Sequence, residues 1–167
     1  DRESWFMTHM AANVVKVGLN GEVISELTLN ARDIALLPND RIGYLGGGHI
    51  GILDQATGTS EILYDIPYPS NKYDIAYSAK HNGLIWSLDT LVGLTNIETG
   101  QTTILKEGAY AIAHYSSVAA STNGYLAIRA NVVSPTMSTS STRLERDELR
   151  FINADGTEER RLVLDFQ

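Results

Sequence analysis

The sequence predicts an all-β protein assembled from repeated antiparallel sheets of four strands. Its clearest unit, Tyr73–Leu105, contains four short runs of apolar and β-branched residues separated by Gly, Asn and Asp turns. Turns this short force neighbouring strands to pair antiparallel. The pattern recurs, because Asp33-Ile34-Ala35 matches Asp74-Ile75-Ala76 at a spacing of 41 residues. Four strands in a period of about 40 residues are typical of β-propeller blades, which bury their apolar faces by stacking around an axis.

The repeat divides a single predicted domain into four approximate blades, at residues 4–29, 32–64, 73–105 and 110–166. Blade one supplies its second to fourth strands and lacks an innermost strand, with Asn20-Gly21 as a hairpin turn. In blade four, the alanine-rich segment 109–121 suits a short helix by propensity, but the repeat register predicts a strand. A β-sandwich is the alternative architecture, although sandwiches rarely show repeats that stay in register.

Alternation within the strands predicts a core between neighbouring blades. We expect the following residues to be mostly buried: Ile34, Ile52, Leu53, Ile75, Ile85, Trp86, Ile97, Ile104, Ile112, Leu126, Phe151 and Ile152.

The predicted turns sort onto two faces of the propeller. One face, which we call the top face, carries the connections between blades and the turns between the second and third strands of each blade. Blade four has an insertion here, because the Ser/Thr-rich segment Ser134–Leu144 separates its second and third strands. We expect this segment to be a mobile loop, since it offers too little apolar surface to offset the entropy of ordering.

Composition excludes several classes of function. The 167 residues carry a net charge of −7, with no run of more than two Lys or Arg, so we expect neither a nucleic-acid nor an anionic-membrane surface. Because cysteine is absent, no disulfide or thiolate metal site is available. No apolar stretch reaches the roughly 18 residues of a membrane-spanning helix. Since blade one lacks an innermost strand, we expect either a segment of a larger propeller or self-association of two copies.

Several blade-ending motifs resemble those of known propeller families. The run "LRFINADGTEERRLVL" at Leu149–Leu164 resembles the blade ends of TolB-type propellers. "IALLPND" and "ILDQATG" are similar to quinoprotein-like and arylsulfotransferase-type blades, and "NIETGQTTIL" resembles the YVTN type. The resemblance covers roughly residues 10–165 and implies a propeller fold and an extracytoplasmic location, periplasmic or secreted. It implies no particular activity, because the shared motifs specify turns and core residues.

Seven candidate ligand-binding residues lie on the predicted top face or at the mouths of the inner strands. They are Arg32, Asp33, His49, Tyr73, Asp74, Asp89 and Tyr110.

The repeat places the pairs Arg32-Asp33 and Tyr73-Asp74 at equivalent positions, with Tyr110 as the matching aromatic in blade four. A ring of such residues around the axial channel would hold a polar ligand. The alternative is that each Asp accepts hydrogen bonds from backbone N–H groups next to it, and the periodicity favours this structural role.

The sequence contains no recognisable catalytic or cofactor motif. The four histidines lack partners at metal-ligand spacing, so no metal site is predicted, and one assembled across blades is the alternative. Gly46-Gly47-Gly48 precedes a strand rather than a helix and lacks a following Lys, so it is not a phosphate loop. No Gly-x-Ser-x-Gly nucleophile motif is present, and no cofactor is predicted.

Two functions remain open at this point. The first is a binding or scaffold module that presents its top face to a protein or a polar ligand, since tyrosine is a frequent interface anchor. The tyrosines expected there are Tyr64, Tyr68, Tyr73 and Tyr110. The second is part of a propeller enzyme, a transferase, lyase or hydrolase, with His49, Arg32 and Asp74 converging on a pocket at the axial channel.

Overall fold

The computed structural model describes residues 4–8, 13–67, 73–108, 113–135 and 142–164, and the regular secondary structure within these ranges is exclusively β-strand. The strands are β1 (Ser4–Thr8), β2 (Asn13–Gly18), β3 (Val23–Thr28), β4 (Asp33–Leu36), β5 (Arg41–Gly46), β6 (His49–Asp54), β7 (Ser60–Asp65), β8 (Tyr73–Ser78), β9 (Gly83–Leu88), β10 (Leu91–Asn96), β11 (Thr102–Glu107), β12 (Ala113–Ala120), β13 (Leu126–Pro135), β14 (Thr142–Ile152) and β15 (Glu158–Leu164).

These strands form four antiparallel meanders in chain order. The first sheet contains β1–β3, and the other three contain β4–β7, β8–β11 and β12–β15. The predicted all-β class and blade-like units are confirmed. The alanine-rich segment of blade four forms the strand β12 over Ala113–Ala120, as the repeat register predicts, because pairing with β13 overrides helix propensity.

Adjacent sheets stack with their first strands side by side, β4 next to β8 and β8 next to β12, so these strands line the axis. A separate apolar core fills each of the three seams between neighbouring sheets. The seam of sheets one and two is built on Val14, Ile42 and Tyr44, the next on Leu45, Ile50 and Trp86, and the last on Ile85, Ile128 and Ile152.

Most of the predicted core residues are buried, with Ile34 and Phe151 only partly so, whereas Ile112 lies outside the described residues. The prediction is wrong for Ile104, which is 42% exposed. The reason is a β-bulge, since Val92 pairs with Lys106 and Gly93 with Ile104, and the extra residue Leu105 turns inward instead.

Backbone conformation identifies equivalent positions in successive blades. The turns after the first inner strands place Asp40, Asn82 and Gly124 in the left-handed region, at φ 53°, 43° and 89°, and 42 residues separate each from the next. The pair Leu88–Leu91, which closes the β9–β10 hairpin, therefore corresponds to the pair Ala130–Glu148 in the fourth sheet.

The β13–β14 ladder is longer than the sequence indicated. Pairing continues for five residue pairs beyond Ala130–Glu148, to Pro135–Thr142, which is about 17 Å of additional ribbon. The predicted loop Ser134–Leu144 is therefore wrong at both ends, because residues 134–135 and 142–144 are strand. We call the five additional pairs the projecting ribbon, since it extends past the level at which blades two and three turn.

Candidate functional site

The two aspartates at the mouths of the inner strands make the same contact in successive blades. The Asp33 carboxylate accepts hydrogen bonds from the backbone N–H of Ile34 at 2.9 Å and of Ile75, in the next blade, at 2.8 Å. The Asp74 carboxylate accepts from the N–H of Ile75 at 3.1 Å and from that of Val118, again one blade further, at 2.7 Å. Each aspartate therefore joins its blade to the following one, in agreement with the structural role that the periodicity favoured.

The carboxyl group of Asp74 also affects the ionisation of Asp33. Burial is the main cause that raises the pKa of Asp33 to about 6, the adjacent Asp74 adds to the rise, and the backbone N–H donors oppose it. Asp33 therefore exchanges a proton not far below neutral pH, at a position beside the axis.

Two further predicted candidates, Arg32 and Asp89, occupy separate places on the top face. Arg32 has an exposed side chain at the mouth of β4. Asp89 adopts a left-handed conformation, φ 46°, in the turn between β9 and β10, and its carbonyl accepts a hydrogen bond from the Tyr115 N–H. Tyr73 is placed by its backbone at the start of β8, but its side chain and all of Tyr110 lie outside the described residues.

His49 is oriented by a neighbouring carboxylate. Its Nδ1 lies 2.7 Å from Asp65 Oδ1 across the β6–β7 pair, and the two side chains are 38% and 81% exposed. A pair this exposed contributes little to stability. Because both side chains are exposed, their polar groups are accessible to a ligand. The contact partner of His49 is thus in its own blade, whereas Asp74 reaches into blade four, and the expected convergence of these two residues is not among the described contacts.

The expectation that Tyr64 is an exposed anchor is wrong. Its ring stacks on Trp86 with centroids 5.7 Å apart and an interplanar angle of 25°. Trp86 is fully buried, and its Nε1 donates to Thr95 Oγ1 at 2.9 Å. Tyr64 therefore covers the core between sheets two and three, while Tyr68 lies outside the described residues.

A charged cluster that the sequence analysis did not identify lies at the seam of sheets three and four. Glu148 is fully buried, and its cross-strand partner Ala130 belongs to the core of this seam. Glu148 Oε1 accepts a hydrogen bond from Arg146 Nε at 2.6 Å. Oε2 accepts from Arg150 Nε at 2.8 Å, with Arg150 Nη2 at 2.7 Å and Arg161 Nε at 3.6 Å.

Glu158 extends this network, because its carboxylate accepts from Arg161 Nε at 2.8 Å and Nη2 at 3.1 Å. We call the five residues Arg146, Glu148, Arg150, Glu158 and Arg161 the arginine cluster. Burial would raise the pKa of Glu148, but hydrogen bonds from Arg146 and Arg150 outweigh it and hold that pKa below its usual range. The hydrogen bond from Arg161 likewise lowers the pKa of Glu158. Both carboxylates are therefore ionised at neutral pH.

A signal for this cluster is present in the sequence. Arg146, Glu148 and Arg150 alternate with a period of two, so on a strand they share one face. The opposing residues on β13, Val132, Ala130 and Ile128, are apolar or small, which is the mark of a buried face. The loop predicted over Ser134–Leu144 ends only two residues before Arg146, so the sequence analysis did not follow this alternation as part of a strand.

The opposite face of the same strands carries a compensated pair. Asp147 is buried and accepts hydrogen bonds from Arg129 Nη2 at 2.6 Å and from the Asn131 side chain.

Across the described ranges, no helix is long and apolar enough to cross a membrane. Within the same ranges, no three His, Cys, Asp or Glu side chains are grouped to hold a metal ion.

Together, the meandering sheets, the inner strands beside the axis and the aspartate links between blades define a β-propeller fold. No protein-family profile matches the sequence, and no curated protein is similar to it in sequence.

Solved propellers are similar to this chain in structure. Hydrazine synthase from Kuenenia stuttgartiensis matches 98% of the chain with a TM-score of 0.72 at 13% identity. A DUF4221 family member from Bacteroides vulgatus matches 98% with a TM-score of 0.67 at 9% identity, and TolB from Acinetobacter baumannii matches 97% with a TM-score of 0.54 at 13% identity. The chain spans 47%, 64% and 51% of these three proteins, respectively. At such identities the likeness shows the fold alone.

Proposed function

We propose that this propeller chain is a binding scaffold that holds a protein or a small polar ligand on its top face. The observation that carries the proposal is the projecting ribbon, which continues about 17 Å past the level where blades two and three make two-residue turns. A ribbon of this length forms a side wall that rises above the two-residue turns of blades two and three. The exposed His49–Asp65 pair supplies polar groups on the same face.

The contacts of the inner aspartates support binding over catalysis. The carboxylates of Asp33 and Asp74 already accept hydrogen bonds from two backbone N–H groups each, so their oxygens are committed to the fold. The observation that favours the enzyme alternative is the raised pKa of Asp33 beside Asp74. A carboxyl pair of this kind suits the acid–base chemistry of a transferase, lyase or hydrolase.

The absence of cysteine from the sequence allows a direct test, because one introduced cysteine is the unique thiol. Glu107→Cys places it at the top end of β11, and Glu98→Cys places it in the opposite turn of the same blade. Both positions are exposed, and both substitutions remove one negative charge.

Each variant is labelled with a thiol-reactive photo-cross-linker and irradiated in an extract of the source cells. We expect discrete adducts from the Glu107→Cys variant and none above background from the Glu98→Cys variant. Equal labelling from both positions, or adducts from the Glu98→Cys variant alone, would contradict binding through the top face.

A further inference from the structure

We propose that the arginine cluster binds an anionic oxygen group, a carboxylate or a phosphate. This inference rests on the binding role proposed above and names the chemistry of the ligand.

The first argument is a charge surplus. Arg150 makes two contacts with Glu148, and Arg161 makes two with Glu158, so these four charges compensate in pairs. The fifth member, Arg146, contacts Glu148 through Nε alone. Among the side chains that the structure describes, neither Nη atom of Arg146 has a hydrogen-bond partner. One positive charge and two NH₂ groups are therefore left for a ligand.

The second argument is accessibility and position. The side chain of Arg146 is 45% exposed, although the carboxylate that holds it is fully buried. Arg146 pairs with Val132, the second pair of the projecting ribbon, so it stands at the base of the side wall of the top face. A ligand lying against the ribbon would meet this guanidinium.

The third argument is pre-organisation. A free arginine loses rotamer entropy when it is immobilised by a ligand. The buried Glu148 holds the Nε edge of Arg146 at 2.6 Å, so part of that loss is already met before binding. The planar guanidinium then presents its remaining edge, which matches the oxygens of a carboxylate or phosphate.

The fourth argument is the local field. The whole chain has a net charge of −7, yet the arginine cluster contains three cations and two anions, and Lys106 lies close enough to lower the pKa of Glu158. Replacing buried charges by well-packed apolar residues is often neutral or stabilising, so stability alone does not account for the charges at this seam. Recognition of an anion supplies that reason.

The test measures binding of two small probes, citrate and inorganic phosphate, by isothermal titration and by the Nε–H signals of the arginines in a ¹⁵N–¹H spectrum. Arg146→Gln removes the guanidinium that is proposed to bind the anion, and Arg160→Gln is the matched control. Arg160 is exposed and follows the bulge on β15, where it pairs with Phe151 rather than with a cluster residue. Arg146→Lys keeps the charge without the planar fork.

We expect the better probe to shift the Nε–H signal of Arg146. Its affinity should fall at least fivefold in the Arg146→Gln variant, less in the Arg146→Lys variant, and under twofold in the Arg160→Gln variant. The two probes distinguish a carboxylate from a phosphate ligand. Equal losses of affinity in the Arg146→Gln and Arg160→Gln variants would mean that binding depends only on overall charge, and this would overturn the proposal. Failure of both probes to bind would overturn it as well.

This outcome can be separated from the failure of the binding role itself. Cross-linking from position 107 that persists unchanged in the Arg146→Gln background would leave the scaffold role standing and remove the anion assignment. Anion binding at Arg146 without any top-face adduct would leave the site standing and remove the macromolecular partner.

Discussion

Two neighbouring seams of this propeller occupy the same place in the repeat and are filled with opposite chemistry. The equivalent cross-strand pairs are Trp86–Gly93 and Leu88–Leu91 in the seam of sheets two and three, and Ile128–Arg150 and Ala130–Glu148 in the seam of sheets three and four. The first seam is wholly apolar at these positions. The second buries a carboxylate between guanidinium groups.

The difference shows that the backbone register and the seam chemistry are set separately. A Cβ on Gly93 would stand 2.1 Å from the Trp86 ring, so the large side chain on β9 requires a glycine opposite it. In the next seam the strand opposite carries Arg150, and the space is shared between its stem and Ile128. The same backbone geometry accepts either arrangement, and only the charged one offers groups to a ligand.

We expect the largest change in unfolding free energy when the buried aromatic side chain of the apolar seam is removed. Trp86→Ala removes a fully buried ring, its stacking on Tyr64 and its hydrogen bond to Thr95. We expect the free energy of unfolding to fall by about 3–5 kcal/mol, measured by urea denaturation. The control Ile62→Ala, at a position that is 53% exposed, should cost less than about 0.5 kcal/mol. Similar losses in both variants would mean that Trp86 does not organise the seam.

The charged seam should respond in a different way. Glu148→Gln leaves the arginines without their buried counter-charge but keeps one acceptor oxygen. We therefore expect a loss of roughly 2–3 kcal/mol in unfolding free energy, somewhat below the roughly 3–5 kcal/mol of a buried pair that loses one partner outright. The double variant Glu148→Leu/Arg150→Leu makes the seam apolar and should unfold within about 1 kcal/mol of the wild type. If the double variant loses as much as the single one, the charges are needed for folding and the comparison between the seams fails.

The aspartate links add a pH dependence near the axis. The folded-state pKa of Asp33, about 6, lies above the ordinary value of 3.8, so protonated Asp33 favours the folded state. The stabilisation is complete below about pH 4 and is lost as the pH rises through 6. We expect it to amount to about 2 kcal/mol between pH 4 and 7, after allowance for partial exposure.

Asp33→Asn cannot ionise and isolates this contribution. Glu148 and Glu158 have lowered pKa values, so their stabilisation is lost as the pH falls, but equally in both proteins. The difference in unfolding free energy between wild type and variant should therefore change in favour of the wild type on acidification. A difference that stays flat from pH 4 to 7 would rule out the titration of Asp33.

The smallest effect concerns the outward face of the fourth sheet. Phe151 lies between Arg150 and Ile152, which face sheet three, so its partly buried side chain faces away from that seam. In each seam the forward face of one sheet packs on the backward face of the next, and a second copy offers such a face on its first sheet. We expect weak self-association of this 167-residue chain in multi-angle light scattering.

Phe151→Glu should then weaken the dimer about tenfold, or roughly 1.4 kcal/mol. The control Ile104→Glu places the same charge at a position that is 42% exposed on the outer strand of blade three. A strictly monomeric chain at all concentrations would contradict association through this face.

Most of the fold could be predicted because its signals are local. Gly58 and Gly100, 42 residues apart, both adopt positive φ in the turns of their blades. The repeat is therefore visible in the sequence, because these turns favour glycine. The bulge was not predictable in the same way. Ile104 and Leu105 are adjacent and both apolar, so alternation alone cannot decide which one faces inward.

The candidate site was less accessible to prediction because its contacts are between distant segments. The repeat identified Asp33 and Asp74, but only the structure shows that their partners are main-chain groups of the following blade. The arginine cluster depends on Arg161 of β15 lying beside Glu148 of β14. This apposition follows from the register of the β14–β15 pair, which includes a bulge between Phe151 and Ile152 that the spacing does not reveal.

The aspartate links have a consequence for how such a chain can change over evolutionary time. Asp33 and Asp74 bond to the main-chain N–H groups at positions 75 and 118, a donor that every amino acid except proline supplies. The joint between blades is therefore indifferent to which side chain the incoming blade carries at that point. The sequence of a blade can therefore diverge, and a blade can be duplicated or replaced, while the hydrogen bond from its backbone to the preceding aspartate is preserved.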